Sequence, residues 1–174
     1  MRAPTNYAGP RRDDDKTTTV SQSEHSNLAQ GPATVQNILE RKGNQVFSVK
    51  PEDSLQTAVN RLGEKRIGAL VVLDDTGHLA GVLSERDIVR KMADMPDDVL
   101  SQRVDSLMTR KVKVCRPEDQ LLAVLKVMTE GRFRHMPVVK DDHLLGVVTI
   151  GDVVHERLGE LELEAIKMKQ MIVG

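Results

Sequence analysis

The order of apolar and polar residues in the first half of the chain predicts a compact series of elements. An apolar strand at 46–49 is followed by Asp53, a candidate helix cap, and then by apolar residues at helical spacing. Continuous apolar runs at 68–73 and 79–83, separated by a turn, predict a buried β-hairpin. Ser84 then opens a second helix. The predicted order is therefore β-α-β-β-α.

The second half of the chain repeats this pattern in register. Residues 46–53 match residues 112–119 in their order of apolar, proline and acidic positions. The stretches 81–87 and 146–152 share a glycine, an apolar pair, a hydroxyl residue and an aspartate. The period is too long for a solenoid unit. We therefore predict an α/β (α+β) fold of two tandem repeats, related by an approximate two-fold axis, with clefts between them.

Composition and breaker residues divide the chain into four predicted segments. The N-terminal segment is polar, carries an acidic triplet at 13–15, and has too few apolar side chains to order itself. A short helix at 34–39 begins the ordered part, and Pro96 lies in the link between the halves. The predicted segments are a disordered tail (1–31), repeat one with its N-terminal helix (32–98), repeat two (99–158) and a C-terminal helix (159–174).

A stripe of apolar residues continues beyond the second repeat, with the alternating spacing of four and three that is typical of coiled coils. Its members are Val154, Leu158, Leu161, Ala165, Met168 and Ile172. In a monomer this stripe would fold back on its own domain, and in a dimer it would pack against a second copy. We favour a homodimer, because monomers rarely leave a large apolar patch in water.

Composition argues against several classes of function. The net charge is −1 with both signs mixed, aromatic residues make up 2% and tryptophan is absent, so nucleic acid is not an expected partner. The single cysteine, Cys115, is predicted to be a half-buried strand residue, and the five histidines lack metal-ligand spacing. No stretch is long enough to span a bilayer, and the acidic triplet argues against a transit peptide. We therefore expect a cytoplasmic protein without membrane association.

The candidate chemistry lies in two hydroxyl–aspartate pairs, Ser84 with Asp87 and Thr149 with Asp152. Each pair follows a buried strand and begins a helix, where unpaired N–H groups and the helix dipole favour anions. A hydroxyl and a carboxylate at this spacing can hold a sugar diol beside a phosphate. The same residues can equally form a capping pair that only stabilises the start of the helix. The recurrence of the pair in both halves favours binding.

The recurring Gly-x-x-Ser/Thr-x-x-Asp motif, together with the run from Arg134 to Val139 (RHMPVV), resembles the CBS domain pair, or Bateman module. The resemblance covers residues 34–158 and is especially close to small stand-alone bacterial proteins. It implies an adenosine-containing ligand such as AMP, ADP, ATP, NAD or S-adenosylmethionine. In that family the aspartate holds the ribose, the hydroxyl helps to hold ribose or phosphate, and the opposite repeat's first strand borders the adenine. The ligand-binding residues so implied are Asp152, Thr149, Val147, His135, Arg134, Met136, Pro137, Val46, Phe47, Asp87, Ser84, Arg86 and Val112.

The two predicted clefts differ in their polar groups. Arg134 and His135 both belong to repeat two, whereas repeat one has small residues at the matching positions. We therefore expect the cleft of Asp152 to be the better nucleotide site. The cleft of Asp87 is expected to be weaker, with Arg86 or Arg66 as a partial substitute for the missing polar groups.

The sequence favours a regulatory protein over an enzyme. It contains no nucleophile–base pair, metal cluster or Walker-type loop, so we do not expect catalysis. The resemblance implies a sensor that binds an adenosine ligand between the repeats and alters dimer geometry for an unidentified protein target. The alternative is a ligand-free dimeric interaction scaffold, in which the hydroxyl–aspartate pairs only cap helices.

Overall fold

The structure is a computed structural model that describes residues 32–94 and 99–173. Its elements confirm the predicted mixed α/β fold of two tandem repeats. The helices are α1 (Val35–Lys42), α2 (Leu55–Lys65), α3 (Glu85–Asp94), α4 (Leu121–Gly131) and α5 (Ile150–Val173). The strands are β1 (Ser48–Val49), β2 (Ala69–Leu73), β3 (Leu79–Ser84), β4 (His135–Lys140) and β5 (His143–Thr149). The predicted disordered tail and Pro96 lie outside the described residues.

Each half contains a small sheet built around one antiparallel hairpin. In the first half, β1 pairs in parallel with β2, which pairs antiparallel with β3, and in the second half β4 pairs antiparallel with β5. The hairpins share a register shift at matching places, after Val72 in β2 and after Val138 in β4. The strand predicted at 112–115 is reduced to a single parallel bridge at Cys115, because the residues before it line a cleft instead.

The start of α2 differs from the prediction. Ser54, rather than Asp53, is the N-cap, and its Oγ accepts a hydrogen bond from the backbone N–H three residues later at 3.2 Å. Asp53 lies one residue outside the cap, where its carboxylate accepts a hydrogen bond from the N–H of Lys50 at 2.8 Å. Asp119 accepts from the N–H of Arg116 at 2.8 Å in the second half. These aspartates therefore close the turn that precedes each helix.

Two hydrophobic cores lie in the two halves, and each is completed by a segment that precedes the other half. The first core packs β1, α2 and the first hairpin against Val104 and Met108, which precede repeat two. The second core packs α4, the second hairpin and the start of α5 against Val35 and Ile38 of α1, which precedes repeat one. Because these side chains are buried, the exchange of segments joins the halves into one unit.

Helix α5 extends from the second hairpin to the end of the described chain. Its first turns contact α1 and α4, and Val153 is buried in the second core. Gly159 does not interrupt the helix, so the helical segment predicted at 159–174 continues the second helix of repeat two. All six residues of the predicted apolar stripe are exposed, and every side chain from 161 to 172 is exposed. The stripe therefore does not fold back on its own chain.

Candidate functional site

The two hydroxyl–aspartate pairs stand at the first turns of α3 and α5. Asp152 Oδ2 accepts hydrogen bonds from the N–H of Thr149 at 2.8 Å and from its Oγ1 at 2.9 Å. In return, the N–H of Asp152 donates to Thr149 Oγ1 at 3.1 Å. Ser84 and Asp87 make the same reciprocal bonds, again through Oδ2 of the aspartate. Both pairs are therefore capping boxes, which stabilise the helix starts independently of any ligand.

One cleft, here called the first cleft, lies between the start of α3 and the start of β4. Its volume is about 440 Å³, which is within the range of small-molecule sites. Ser84, Arg86 and Asp87 line it from the first half of the chain, and Val112 and Arg134 line it from the second. The first cleft therefore brings a hydroxyl–aspartate pair of one repeat against polar and apolar groups of the other.

The first cleft is rich in basic side chains that form no ion pair with the described part of the chain. Its acidic residues are Glu85 and Asp87. Its basic residues are Arg86, Arg90, Lys111, Lys113, Arg132 and Arg134. Among the residues that the structure describes, none of these six groups makes a salt bridge, whereas Arg103 and Lys140 elsewhere pair with carboxylates. Because a concave surface concentrates the field of such charges, the first cleft attracts anions.

A second cleft, with a volume of about 370 Å³, lies between the start of β2 and the end of β5. It contains five of the residues implied by the family resemblance, which are Val46, Phe47, His135, Val147 and Thr149. Arg66 also lines it, from the turn that ends α2. The second cleft therefore mirrors the first, since it combines a hydroxyl residue of repeat two with the strand starts of repeat one.

Asp152 is not among the residues that line the second cleft, and its carboxylate is occupied by Lys42. Lys42 Nζ donates to Asp152 Oδ2 at 2.7 Å. Burial disfavours the charged form of Asp152, but hydrogen bonds from Lys42 and Thr149 outweigh it and lower the pKa of this carboxyl. Beside this pair, Arg41 forms an ion pair with Glu156 at 3.0 Å. Two ion pairs thus hold the end of α1 against α5.

His135 lies between the clefts and lines both of them. It is the cross-strand partner of Thr149, and its Cε1 lies 3.3 Å from the position that a Cβ at residue 68 would take, so Gly68 leaves room for the ring. Burial lowers the pKa of His135, while the charge of Glu85 opposes this shift. Burial therefore favours the neutral form of this imidazole, which lines both clefts.

The structure reverses the predicted assignment of polar groups to the two clefts. Arg134, expected in the cleft of Asp152, lines the first cleft beside Asp87 instead. The reason is that the start of β4 in one repeat faces the N-terminus of α3 in the other. The premise that the cleft of Asp87 lacks polar groups is therefore wrong, because it holds the larger set of basic groups, and Arg66 lines the second cleft instead. Arg86 lines the cleft of Asp87, as expected. Which cleft binds a nucleotide better stays a prediction.

Besides Asp152, two residues implied by the resemblance line neither cleft. Met136 is buried in the second core. Strand alternation explains its position, because neighbouring residues in β4 point to opposite faces and His135 takes the cleft face. Pro137 is buried within β4, and its carbonyl accepts a hydrogen bond from the N–H of Cys115 at 3.0 Å. This carbonyl is thus used by the bridge that replaces the predicted strand.

Basic cleft residues that were not identified from the sequence include Lys42, Arg90, Lys111 and Lys113. A signal for two of them was present, because Lys111 and Lys113 alternate with Val112 and Val114 in the segment that leads to Cys115. Such alternation places both lysines on one face of an extended chain. Lys42 had no local signal, since its partner is far away in the sequence.

Other chemical features of the described part of the chain are few. Within residues 32–94 and 99–173, no group of three or more histidine, cysteine, aspartate and glutamate side chains is placed to hold a metal ion. Cys115 is buried rather than half-buried, and burial raises the pKa of its thiol to about 12. A thiol with this pKa is a poor nucleophile at neutral pH. None of the described helices combines the length and apolar character that a bilayer span requires.

Comparison with known proteins identifies the family. Residues 37–94 and 104–159 match the model of the CBS domain. The mitochondrial CBS domain-containing protein CBSX3 of Arabidopsis thaliana is 33% identical over 149 residues, which cover 81% of this chain and 72% of that protein. A CBS-domain containing protein from Agrobacterium tumefaciens has a TM-score of 0.70 at 38% identity, covering 72% of this chain and 99% of that one. CBSX2, crystallised in complex with AMP, has a TM-score of 0.60 at 32% identity, covering 72% and 96%. The chain therefore belongs to the CBS domain family and contains two CBS repeats.

Proposed function

We propose that this protein is a regulatory module that binds an adenosine nucleotide in the first cleft. The observation that carries the proposal is the meeting of the Ser84–Asp87 pair with unpaired basic groups of the other repeat in one cavity. The AMP complex of the related CBSX2 supports the choice of an adenine nucleotide. CBS domains are in general regulatory rather than catalytic, so we propose that the protein is not an enzyme.

The first cleft contains a suitable group for each part of a nucleotide, namely the ribose, the adenine and the phosphate. Asp87 uses Oδ2 for its capping bonds, and its Oδ1 accepts no hydrogen bond from any residue that the structure describes. This oxygen is suited to a ribose hydroxyl, because a carboxylate accepts strong hydrogen bonds. Val82 and Val112 offer apolar surface to the adenine. The basic side chains would hold the phosphate, aided by the N-terminus of α3.

We propose that the second cleft is a conditional site. A ribose that binds Oδ2 of Asp152 would displace Lys42, which already donates to this oxygen, whereas Oδ1 accepts no hydrogen bond from any residue that the structure describes. Departure of Lys42 would remove one of the two ion pairs between α1 and α5. Binding in the second cleft would therefore be linked to the contact between these helices, and α5 is the element that continues away from the repeats.

We propose that the functional unit is a cytoplasmic homodimer and that α5 contributes to its interface. Leu158, Leu161 and Met168 are all about half exposed or more in the single chain. Further exposed apolar side chains lie on α3 and α4, including Val89 at 64% and Leu122 at 57%. Burial of such surfaces is a strong driving force for association. Ligand binding between the repeats would then change the angle between subunits, which a separate protein target would read.

A variant of the aspartate tests the proposed nucleotide site. Asp87→Asn keeps a good helix cap, so the stability should change by less than about 1 kcal/mol. The same change weakens the acceptor for ribose, and we expect it to reduce AMP and ATP affinity about tenfold in isothermal titration calorimetry. Asp94→Asn, at the other end of α3, is the matched control and should leave affinity unchanged. Equal affinities of Asp87→Asn and the wild type would remove Asp87 from the site.

The completed capping boxes favour a second candidate function, a ligand-free interaction scaffold. In that case the hydroxyl–aspartate pairs stabilise helices and nothing more. The two functions differ in a thermal-shift experiment, because a ligand that binds only the folded state raises its stability in proportion to the logarithm of concentration. A melting temperature that is unchanged by millimolar AMP, ATP or NAD would support the scaffold.

A further inference from the structure

We infer that the first cleft selects adenosine nucleotides with several phosphates over AMP and over S-adenosylmethionine. The inference rests on the proposed function and specifies the ligand class of the same site. It follows from the number, the placement and the unpaired state of the basic side chains in this cleft. None of these properties is needed for binding a single phosphate group.

The charge of the first cleft exceeds what a nucleoside monophosphate can neutralise. Its six basic and two acidic side chains leave a formal excess of four positive charges, although the whole chain has a net charge of −1. A phosphate monoester carries about two negative charges at neutral pH. Each phosphate added to the chain brings further negative charge and further acceptor oxygens. A triphosphate therefore matches the cleft more closely than AMP does.

The basic residues of the first cleft come from three segments of the chain. Two lie one helical turn apart on α3, two lie within 111–113, and two lie within 132–134. Arg132 adopts the left-handed conformation with φ of 55°, and the matching C-cap residue Arg66 has φ of 52°. The turn before β4 is therefore a defined structure. A single phosphate group offers only a few acceptor oxygens to these segments. A chain of phosphates can reach across several segments.

The second cleft has fewer basic groups than the first, and S-adenosylmethionine differs from a nucleotide in the sign of its charged groups. Among the described residues, Lys42 and Arg66 are the lysine and arginine that line the second cleft, and Lys42 is already paired with Asp152. Multiple phosphates are thus specific to the first cleft. S-adenosylmethionine carries a sulfonium and an ammonium group, and the excess positive charge of the first cleft repels both.

Calorimetric titration of the full chain with adenosine, AMP, ADP, ATP, S-adenosylmethionine and inorganic tripolyphosphate tests this inference. EDTA is included so that the nucleotides carry no bound metal. At about 0.1 M salt we expect ATP to bind about tenfold or more tightly than AMP, and S-adenosylmethionine to bind more weakly than AMP. Raising the salt to about 0.5 M should weaken ATP binding more than AMP binding, because screening acts on each charge.

A double variant tests whether basic residues of the first cleft cause the preference for ATP. Lys111→Gln/Lys113→Gln should weaken ATP about tenfold and AMP by less than about threefold, because AMP uses fewer of the basic groups. Arg116→Gln/Lys126→Gln removes the same number of positive charges from exposed positions outside both clefts and should change neither affinity by more than about twofold. Equal losses in the two double variants would overturn the inference, since a general charge effect would then explain them.

The remaining outcomes separate the inference from the proposed function. AMP or S-adenosylmethionine binding as tightly as ATP would overturn the inference and leave the proposed nucleotide site standing. The absence of binding by every adenosine compound would overturn both. Tripolyphosphate binding as tightly as ATP would support the selection for phosphate number, but it would overturn the recognition of adenosine.

Discussion

Substitution of two motif glycines tests the exchange of segments between the cores. Gly81 in β3 and Gly146 in β5 hold matching positions, and each lies under a segment that precedes the other repeat. A Cβ at Gly81 would approach the backbone O of Thr109 to 2.8 Å and Met108 Sδ to 2.9 Å. A Cβ at Gly146 would approach Cδ2 of Leu39 to 2.8 Å. The new methyl group of Gly81→Ala would therefore clash with a backbone atom, whereas that of Gly146→Ala would clash with the end of a side chain.

The two substitutions should differ in magnitude for this reason. Thr109 exchanges two backbone hydrogen bonds with Val82, at 2.9 Å and 3.1 Å, so it cannot move without weakening them. Overpacking costs about 1–3 kcal/mol, and we expect about 2–3 kcal/mol for Gly81→Ala. Leu39 can rotate its terminal methyl groups, and alanine gains about 0.5–1 kcal/mol over glycine in a strand. Gly146→Ala should therefore cost about 1 kcal/mol or less.

Urea unfolding followed by circular dichroism measures both free energies. Gly63→Ala, in the exposed part of α2 with no atom near its new Cβ, is the control and should stabilise the protein by about 0.5–1 kcal/mol. In a Leu39→Ala background, Gly146→Ala should carry no penalty, because the clashing methyl group is gone. A Gly81→Ala variant as stable as Gly146→Ala, or a penalty at Gly146 that persists without Leu39, would refute the packing argument.

Three further predictions concern charge, reactivity and assembly. The lowered pKa of Asp152 means that its pair with Lys42 stabilises the fold above the unfolded pKa of 3.8. This contribution is lost as the pH falls through the folded pKa. The free energies of unfolding of the wild type and Asp152→Asn, measured in urea, should therefore converge in acid. Burial and the raised pKa of Cys115 predict that a thiol reagent labels the native protein about 100-fold more slowly than the urea-unfolded chain; rapid native labelling would contradict this. Deletion of residues 160–174 should convert a dimer into monomers at low micromolar concentration, as measured by light scattering, and a dimeric truncated protein would make α5 dispensable.

The sequence predicted the helices and hairpins, whose formation depends on residues that are close together along the chain. Apolar periodicity located the helices and both hairpins, because each pattern is set by the local geometry of one element. Helix starts were less certain, since Asp53 and Ser54 are adjacent and either can supply an oxygen. The strand predicted at 112–115 is reduced to a bridge at Cys115. The length of an edge strand depends on its pairing with the neighbouring strand, which lies far away in the sequence. Boundaries that tertiary contacts decide were therefore the least predictable.

Long-range partners were not predictable from local pattern. The packing of α1 in the second core and the placement of Arg134 beside Asp87 both follow from the way the repeats face each other. In-register repetition indicated two equivalent motifs, but it gave no information on which strand start faces which helix. The contact between Lys42 and Asp152 likewise joins the two ends of the described chain. A single sequence records none of these pairings.

The capping and binding interpretations of the Ser/Thr-x-x-Asp motif are therefore compatible, and the motif itself does not decide between them. Both pairs form nearly identical capping boxes, so the local geometry is the same in each repeat. What differs is the charge that the rest of the chain brings to each aspartate. Lys42 pairs with Asp152 from within the protein, whereas Asp87 lines a cavity with six basic side chains that make no salt bridge among the described residues. Because the backbone is repeated and the charges are not, the two copies of the motif have different electrostatic surroundings.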